Sequence, residues 1–397
     1  MAKQRIIYLI TLIVSFVLFV QWEDYFVHLL FYFLLLLPVV SLIVSLPLSF
    51  LLHCRLEAPA AVMSKNVPES FLFQVNNRYP VPAACIKATV VCKNVLCSSK
   101  TVAKEKIHFP AGFSAETSVP IRISFPYCGK ITLHIRSVRV CDLLGLFCIP
   151  VLHKKFCATV YVMPDQAEIE CEPESGVDLG QESTVYSDKK AGNDPAEIFR
   201  LRDYHPGDRP HAIHWKLSNR FDRLLVREFG LPLNVSVRFL IETGGNTPLH
   251  QIDCLLEAFF SLADFLAQQG MIQTVNWLSS CKELETRTVA DEDALAEILH
   301  EVLAMPSVQE TDGALKALVM QEEAPLRCHL IYLAAVGEDC APVPLLTGLL
   351  HNGVCRRISI LAAGRVHIFD ELQEEPGCEV YSLQNGVMDA GLEEMRV

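Results

Sequence analysis

The chain is short of positive charge: 34 Lys and Arg stand against 46 Asp and Glu, a formal charge of −12 at pH 7 over 397 residues. A deficit of that sign excludes a general nucleic-acid binder, whose affinity rests on neutralising phosphates. Charged residues are also scarce overall at 20%, hydrophobic residues reach 51%, and the mean hydropathy is +0.29. A disordered chain has the opposite balance, so part of the apolar content is expected in lipid and the rest in a sizeable core. No internal repeat or low-complexity tract is present, and neither GxSxG, GxGxxG nor a pair of CxxC knuckles occurs. Their absence removes the nucleophile elbow, the dinucleotide loop and the common structural zinc site. Cysteine is missing from the first 53 residues, and all 15 cysteines lie between Cys54 and Cys378. An odd number cannot pair completely within the chain, and the dispersal is unlike a small secreted disulfide framework, which points to a reducing compartment.

Two long apolar runs open the chain, Arg5 to Val20 and Phe26 to about Leu52, separated by Gln21-Trp22-Glu23-Asp24-Tyr25. The first has about 16–18 usable residues, near the lower limit for a span, and the second is long enough to cross with tilt. Pro38 predicts a kink in the second and Pro47 an end. Lys3 and Arg5 precede the pair, Glu23 and Asp24 lie between, and His53 and Arg55 follow, so the positive-inside rule places both termini in the cytoplasm. The competing reading is a cleaved signal peptide, but no small-x-small site precedes Gln21. Residues 1–52 are therefore expected to form a transmembrane helical hairpin in the cell membrane, with the soluble parts cytoplasmic.

From 53 to 165 short alternating runs predict a small immunoglobulin-like β-sandwich: Phe71 to Val75, Ala84 to Cys92, Thr117 to Ser124, Lys130 to Arg139 and Phe156 to Val162. Cys85, Cys92 and Cys97 are its nearest approach to a metal cluster. Their spacing lacks the zinc knuckle, so buried cysteine acting as a small apolar residue is the better account. Residues 166–194 read as an exposed acidic linker.

The most distinctive passage follows at 195–230. Pro206-Gly207 fits the centre of a type II turn, and Arg202, Asp203, Asp208, Arg209, His211, His214, Lys216 and Arg220 crowd both signs of charge together. A hydrolase is one reading, with a histidine base at His211 or His214 and Asp203 or Asp208 orienting it, but no activated Ser or Cys accompanies it. A metal site at His205, His211 and His214 is a second, with a spacing that matches no usual motif. The third, which the residues favour, is an ion-pair network that locks domains or presents a docking face, with Tyr204 and Trp215 as packed anchors.

Arg202-x-Tyr204-x-x-Gly207-Asp208, then Ile213-x-Trp215-Lys216, Arg220 and Leu225-Val226-Arg227-Glu228 resemble the signature of the domain of unknown function 58 family of bacterial membrane proteins. Asp142-Leu143-Leu144-Gly145-Leu146-Phe147 resembles the family's Asp-Pro-Leu-Gly-Leu-Phe segment, with Leu143 for the usual proline, and Asn219 stands where alanine is common. Val160-Tyr161-Val162-Met163-Pro164 looks like the strand that closes its β module. The resemblance covers nearly the whole chain. It implies a non-enzymatic adaptor or assembly factor working with a MoxR-type AAA+ ATPase and with transglutaminase-like or other envelope-related membrane proteins.

Residues 231–397 alternate strands and helices in an α/β pattern with a mostly parallel sheet, ending in short strands near Arg357 to Leu361 and Val366 to Phe369. The resemblance implies a von Willebrand factor type A-like domain. In that fold an Asp-x-Ser-x-Ser loop holds a divalent ion through oxygens. Here Glu242, Thr243, Gly244, Gly245 and Asn246 stand at that place, so the loop is degenerate and most oxygen ligands are missing. No catalytic residue, metal or cofactor is expected, and metal-dependent adhesion outside the cell, resting on Glu242, is the remaining alternative.

Overall fold

A computed structural model describes residues 2–97, 101–112, 116–152, 157–167, 169, 185–192, 194–206, 208–233, 237–244, 247–269, 271–279, 281–305, 312–321, 328–336, 342–364 and 366–383. The chain divides into two compact units, Met1–Asp165 and Gln166–Val397.

The first unit begins with a hairpin of helices α1 (Ala2–Gln21) and α2 (Tyr25–Ser45). Asp24 caps α2, its carboxylate accepting from the Phe26 amide at 3.2 Å, which satisfies one of the orphan first-turn donors. Phe19 packs on Phe31 with ring centroids 4.9 Å apart, and the Tyr8 hydroxyl donates to the Leu34 carbonyl at 2.8 Å. Elsewhere both helices expose Ile, Leu, Val and Phe, with only 6% and 11% of their most apolar windows buried. A core helix of a water-soluble body buries such residues, and these two are long and apolar enough to span a bilayer.

Helix α2 runs through Pro38. Leu46 and Pro47 then turn the chain into α3 (Leu48–Leu51), and strand β1 (Leu52–Glu57) begins at once. Leu52, Cys54 and Leu56 are buried while His53 and Arg55 face out, so Leu52, expected to close the second apolar run, already opens an alternating strand.

Eight more strands follow: β2 (Val62–Met63), β3 (Glu69–Asn77), β4 (Ala83–Asn94), β5 (Thr101–Ala111), β6 (Glu116–Ile123), β7 (Gly129–Cys141), β8 (Cys148–Pro150) and β9 (Cys157–Val162). They form one sheet of order β1-β3-β6 and another of order β2-β9-β7-β4-β5, with β8 paired to β7. The five expected runs fall within β3, β4, β6, β7 and β9, apart from Ser124, one residue past the end of β6, and Phe156, which lies outside the described residues. The inward residues of both sheets make one core, with Phe71 and Phe73 of β3 against Ile86 and Val90 of β4 and Leu133 of β7. Phe71 meets Phe125, and Phe73 meets Phe109, edge to face. Cys92 lies in this core, its thiol pushed up to about 12 by burial and then by the charge of Glu105, as a buried apolar-like cysteine should be.

The second unit opens with β10 (Val185–Gly192), β11 (Asp194–Asp203) and, after helix α4 (Trp215–Phe221), β12 (Leu225–Leu233), in the order β10-β12-β11. Residues 185–192 were expected as linker. They pair antiparallel with β12 because a neighbouring strand offers backbone partners that local polarity does not reveal. The remainder of the expected linker lies largely outside the described residues.

A six-stranded sheet follows, built from β13 (Val237–Thr243), β14 (Gln273–Leu278), β15 (Leu284–Val289), β16 (His329–Val336), β17 (Arg357–Gly364) and β18 (Cys378–Ser382). Its order is β15-β14-β13-β16-β17-β18, parallel throughout except for the β14–β15 hairpin. Four helices accompany it: α5 (Leu249–Gln268), α6 (Glu292–Leu303), α7 (Gly313–Gln321) and α8 (Val343–His351). Phe239 points to α5, where it meets Phe259 edge to face at 5.3 Å, while its neighbour Leu240 joins Leu315 and Leu318 of α7 and Leu346 of α8. Successive residues of β13 thus face opposite layers, which is why its sequence is apolar on both sides. The expected strand at Val366 to Phe369 is a correction: Val366–Glu374 is a 3₁₀ helix that buries Phe369 and Leu372, and the last strand among the described residues is β18.

Candidate functional site

Strands β11 and β12 pair with Arg200 opposite Glu228 and Arg202 opposite Val226. This register carries the Arg202 guanidinium between two carboxylates. Its terminal nitrogens donate to both oxygens of Asp208, at 2.7 and 2.6 Å, and its Nε donates to Glu228 at 2.7 Å. Arg200 reaches the other oxygen of Glu228, and the His205 amide donates to Asp208 at 2.8 Å. A planar guanidinium matches a carboxylate in this two-pronged way, whereas a lysine cannot. The fork from Arg202, helped by the His205 amide, lowers the Asp208 carboxyl to about 2. Arg200 first, then Arg202, hold Glu228 below its ordinary value, and Arg202 is raised in turn by Asp208 and Glu228.

A 3₁₀ turn at Pro210–Ala212 leads to α4. His214 caps that helix: its Nδ1 accepts from the Leu217 amide at 3.3 Å, a role that needs a neutral ring. Ser218 faces inward, its hydroxyl accepting from the Leu225 amide at 2.9 Å, and Asp222 closes the helix in the left-handed region at φ 52°. Ala212, Ile213 and Val226 form the small core, with Phe229 against it.

The expected cluster is thus partly assembled. Asp208 is engaged by Arg202, Asp203 pairs instead with Arg223 at 3.3 Å, and His205 and His211 are exposed. Among the described residues no histidine ring bonds to the Asp203 or Asp208 carboxylate, and no group of three His, Cys, Asp or Glu could hold a metal. Tyr204 and Trp215 are not packed anchors. Trp215 is 63% exposed, on the outward side of the first turn of α4, and Tyr204 is 36% exposed. Lys216 and Arg220 also face out, beside Phe221 and Leu224. Gly207, and with it the centre of the expected turn, lies outside the described residues.

At the end of β13, Glu242 is buried, its two oxygens accepting from the amides of Ala314 at 3.2 Å and Leu315 at 3.0 Å. It anchors the first turn of α7, where unpaired donors and the helix dipole favour a carboxylate. Burial nonetheless dominates and raises its pKa to about 7, against the pull of those amides. Thr243 is buried beside it, and Gly244 closes a turn with Thr247, whose amide donates to the Gly244 carbonyl at 3.1 Å. Gly245 and Asn246 lie outside the described residues.

Sequence reasoning missed a second polar centre, in the first unit. The turn after β7 holds Asp142, fully buried, which accepts from the Phe147 amide at 2.8 Å and from the Ser41 hydroxyl of α2 at 2.8 Å. The Arg5 guanidinium of α1 donates to the Leu146 carbonyl at 2.8 Å. Gly145 adopts φ +69° there, close to Gln4. A lone aspartate amid Val-Cys-Asp-Leu-Leu-Gly-Leu-Phe was the available signal, since a buried carboxylate needs partners.

No family model matches the chain, and no curated protein does. Among solved structures it is similar to the CARDB domain of a Pyrococcus furiosus protein, at 13% identity over 28% of this chain and 87% of that one, with a TM-score of 0.21. An alkylpurine DNA glycosylase from Pseudomonas fluorescens matches at 15% identity over 33% of this chain and 38% of that chain, TM-score 0.21. A Bacteroides uniformis beta-glucuronidase matches at 10% identity, covering 81% of this chain and 35% of that one, TM-score 0.20. The chain therefore spans little more than a third of these two enzymes, and similarity of this size assigns it neither fold nor activity.

Proposed function

We propose that this is a membrane-anchored, non-enzymatic adaptor or assembly factor of the domain of unknown function 58 family. In this reading the helical hairpin crosses the bilayer twice, and the β unit is an immunoglobulin-like sandwich. The six-stranded α/β body is a von Willebrand factor type A-like domain whose ion loop is degenerate. The soluble parts face the cytoplasm, as Lys3, Arg5, His53 and Arg55 suggest. A MoxR-type AAA+ ATPase is the partner, and transglutaminase-like or other envelope-related membrane proteins are its clients or companions.

One observation carries the proposal. The Arg202–Asp208–Glu228 brace stiffens the signature segment while the same segment leaves Trp215, Phe221 and Leu224 exposed, with Lys216 and Arg220 beside them. Aromatic side chains held out on a braced support, with arginine near, are what a protein–protein hot spot requires. Asp208 has both oxygens engaged, His214 is occupied as a cap, and among the described residues no bond joins the exposed His211 ring to the Asp203 or Asp208 carboxylate, which weighs against the hydrolase reading.

The test is capture of the detergent-solubilised full chain from native membranes, with and without nucleotide. Enrichment of an AAA+ ATPase that is lost in Trp215→Ala together with Phe221→Ala supports the reading; absence of any such ATPase in both nucleotide states overturns it. Labelling of intact cells with an impermeant maleimide tests orientation separately. Cys157 and Cys281 are exposed on the two units, and their protection from that reagent alone is expected if both units are inside.

A further inference from the structure

We infer that Cys141 and Cys148 form a dithiol modification site that a small-molecule disulfide converts to an intramolecular disulfide across the Asp142–Phe147 turn. The two residues are opposite each other where β7 pairs with β8, and their sulfurs are 3.2 Å apart. The ladder fixes their position type. The Asp142 amide donates to the Phe147 carbonyl at 3.2 Å, and the Val151 amide to the Val138 carbonyl at 2.9 Å, so Asp142/Phe147 and Val138/Val151 are hydrogen-bonded pairs. Cys141 and Cys148, one step from the first, occupy a non-hydrogen-bonded pair. Side chains are closest there, with Cα atoms about 4.5 Å apart, inside the window of about 4.4–6.8 Å that a disulfide needs.

Access differs between the partners. Cys141 is buried and Cys148 half-buried. Burial, then the hydrogen bond from Cys148 and the charges of Cys148 and Cys85, pushes the Cys141 thiol up to about 12 against the opposite pull of Lys87. Cys148 is therefore the sulfur that meets the reagent, and Cys141 the one that resolves. Taking oxidised glutathione as the oxidant, the Cys148 thiolate attacks one of its sulfurs, breaks its disulfide and releases one glutathione thiolate. Cys141 then attacks the Cys148 sulfur, its proton passing to the second departing glutathione. Two thiols lose two hydrogens, and one glutathione disulfide becomes two glutathione thiols.

The bond would close a small ring around the turn whose Asp142 holds Ser41 of α2 and whose Leu146 carbonyl holds Arg5 of α1. Oxidation thus stiffens the element that ties the apolar hairpin to the β unit.

The test uses the full chain in detergent micelles, treated with oxidised glutathione, blocked with N-ethylmaleimide and digested with trypsin without reduction. Both cysteines lie in one tryptic peptide, Val140 to Lys154. The expected product is that peptide lighter by two hydrogens and free of maleimide and glutathione, and Cys141→Ser is expected to trap glutathione on Cys148. Slower exchange of the Phe147 amide, by several-fold, should accompany oxidation. Maleimide on both cysteines under conditions that fully glutathionylate exposed Cys157 and Cys281 would overturn the inference. So would a cross-link from Cys85, the residue paired with Cys141 on β4, in place of the Cys141–Cys148 bond.

Discussion

The Ser41 hydroxyl donates to the Asp142 carboxylate at 2.8 Å, joining the second apolar helix to the turn that follows β7. Asp142 is fully buried and also terminates the Phe147 amide, so one side chain closes its own turn and receives the hairpin. Replacing it by alanine leaves a half-buried amide and a buried hydroxyl without their acceptor. Asp142→Ala should cost about 1–3 kcal/mol for the stranded Ser41 hydroxyl and less for the half-buried amide, and Ser41→Ala should cost less, because the amide remains bonded. Thermal unfolding in detergent followed by tryptophan-independent circular dichroism compares the two; equal stability of Asp142→Ala and the parent would refute the arrangement.

Arg202 holds Asp208 through two bonds, and the Asp208 carboxyl is lowered to about 2 from the ordinary 3.8. A depressed carboxyl adds stability that is present above its unfolded value and is lost as pH falls through the folded one. The signature segment should therefore loosen between about pH 4 and pH 2. Arg202→Lys removes the two-pronged geometry and should return the Asp208 titration toward its ordinary value. Carbon-detected NMR of the Asp208 carboxyl reads this directly, and an unmoved midpoint would count against the brace.

Two buried groups of the second unit pull its stability in opposite directions with pH. Glu242 is raised from 4.5 to about 7 by burial, so its contribution is full below pH 4.5 and is lost as pH rises through 7, on the order of 3 kcal/mol at most. His329 is lowered to about 3 by burial and then by Arg357, and its ring bonds to the Ser359 hydroxyl at 2.8 Å. Its contribution is present above pH 6.5 and is lost as pH falls toward 3. Glu242→Gln should flatten the loss between pH 5 and 7 and expose the acid-side loss due to His329. Chemical denaturation across that range is the measurement, and a Glu242→Gln profile parallel to the parent's would exclude the titration.

Trp215 and Phe221 are 63% and 56% exposed. Their replacement by alanine should change stability by about 0.5 kcal/mol or less, as at other surface sites, while abolishing capture of the partner. A large drop in melting temperature would mean that they pack on something, and partner capture that survives the double variant would move the docking face elsewhere.

The first apolar run, the alternating strands from Phe71 to Val162 and the strand–helix order after Leu233 could be read locally, because each rests on a period of two or 3.6 residues. Boundaries failed where two periods meet. The second apolar run was expected to reach about Leu52, yet α2 ends at Ser45 and Leu52 already begins β1, and Val366 to Phe369, expected as a strand, begins a 3₁₀ helix. In the signature segment the crowding of charge was visible, but which pairs form was not. Asp203 and Asp208 are equally plausible partners for a histidine in sequence, and the β11–β12 register gave Asp208 to Arg202 while Arg223 took Asp203.

The sequence by itself determined two apolar helices, an acidic β-rich and α/β body, and the residues of an unusual signature, since hydropathy and periodicity are properties of neighbours along the chain. Only the tertiary structure decided that Glu242 anchors helix α7, that Trp215 faces out, and that Asp142 receives Ser41. Those are meetings of residues far apart in sequence, selected because a buried donor or carboxylate must find a partner wherever the fold brings one.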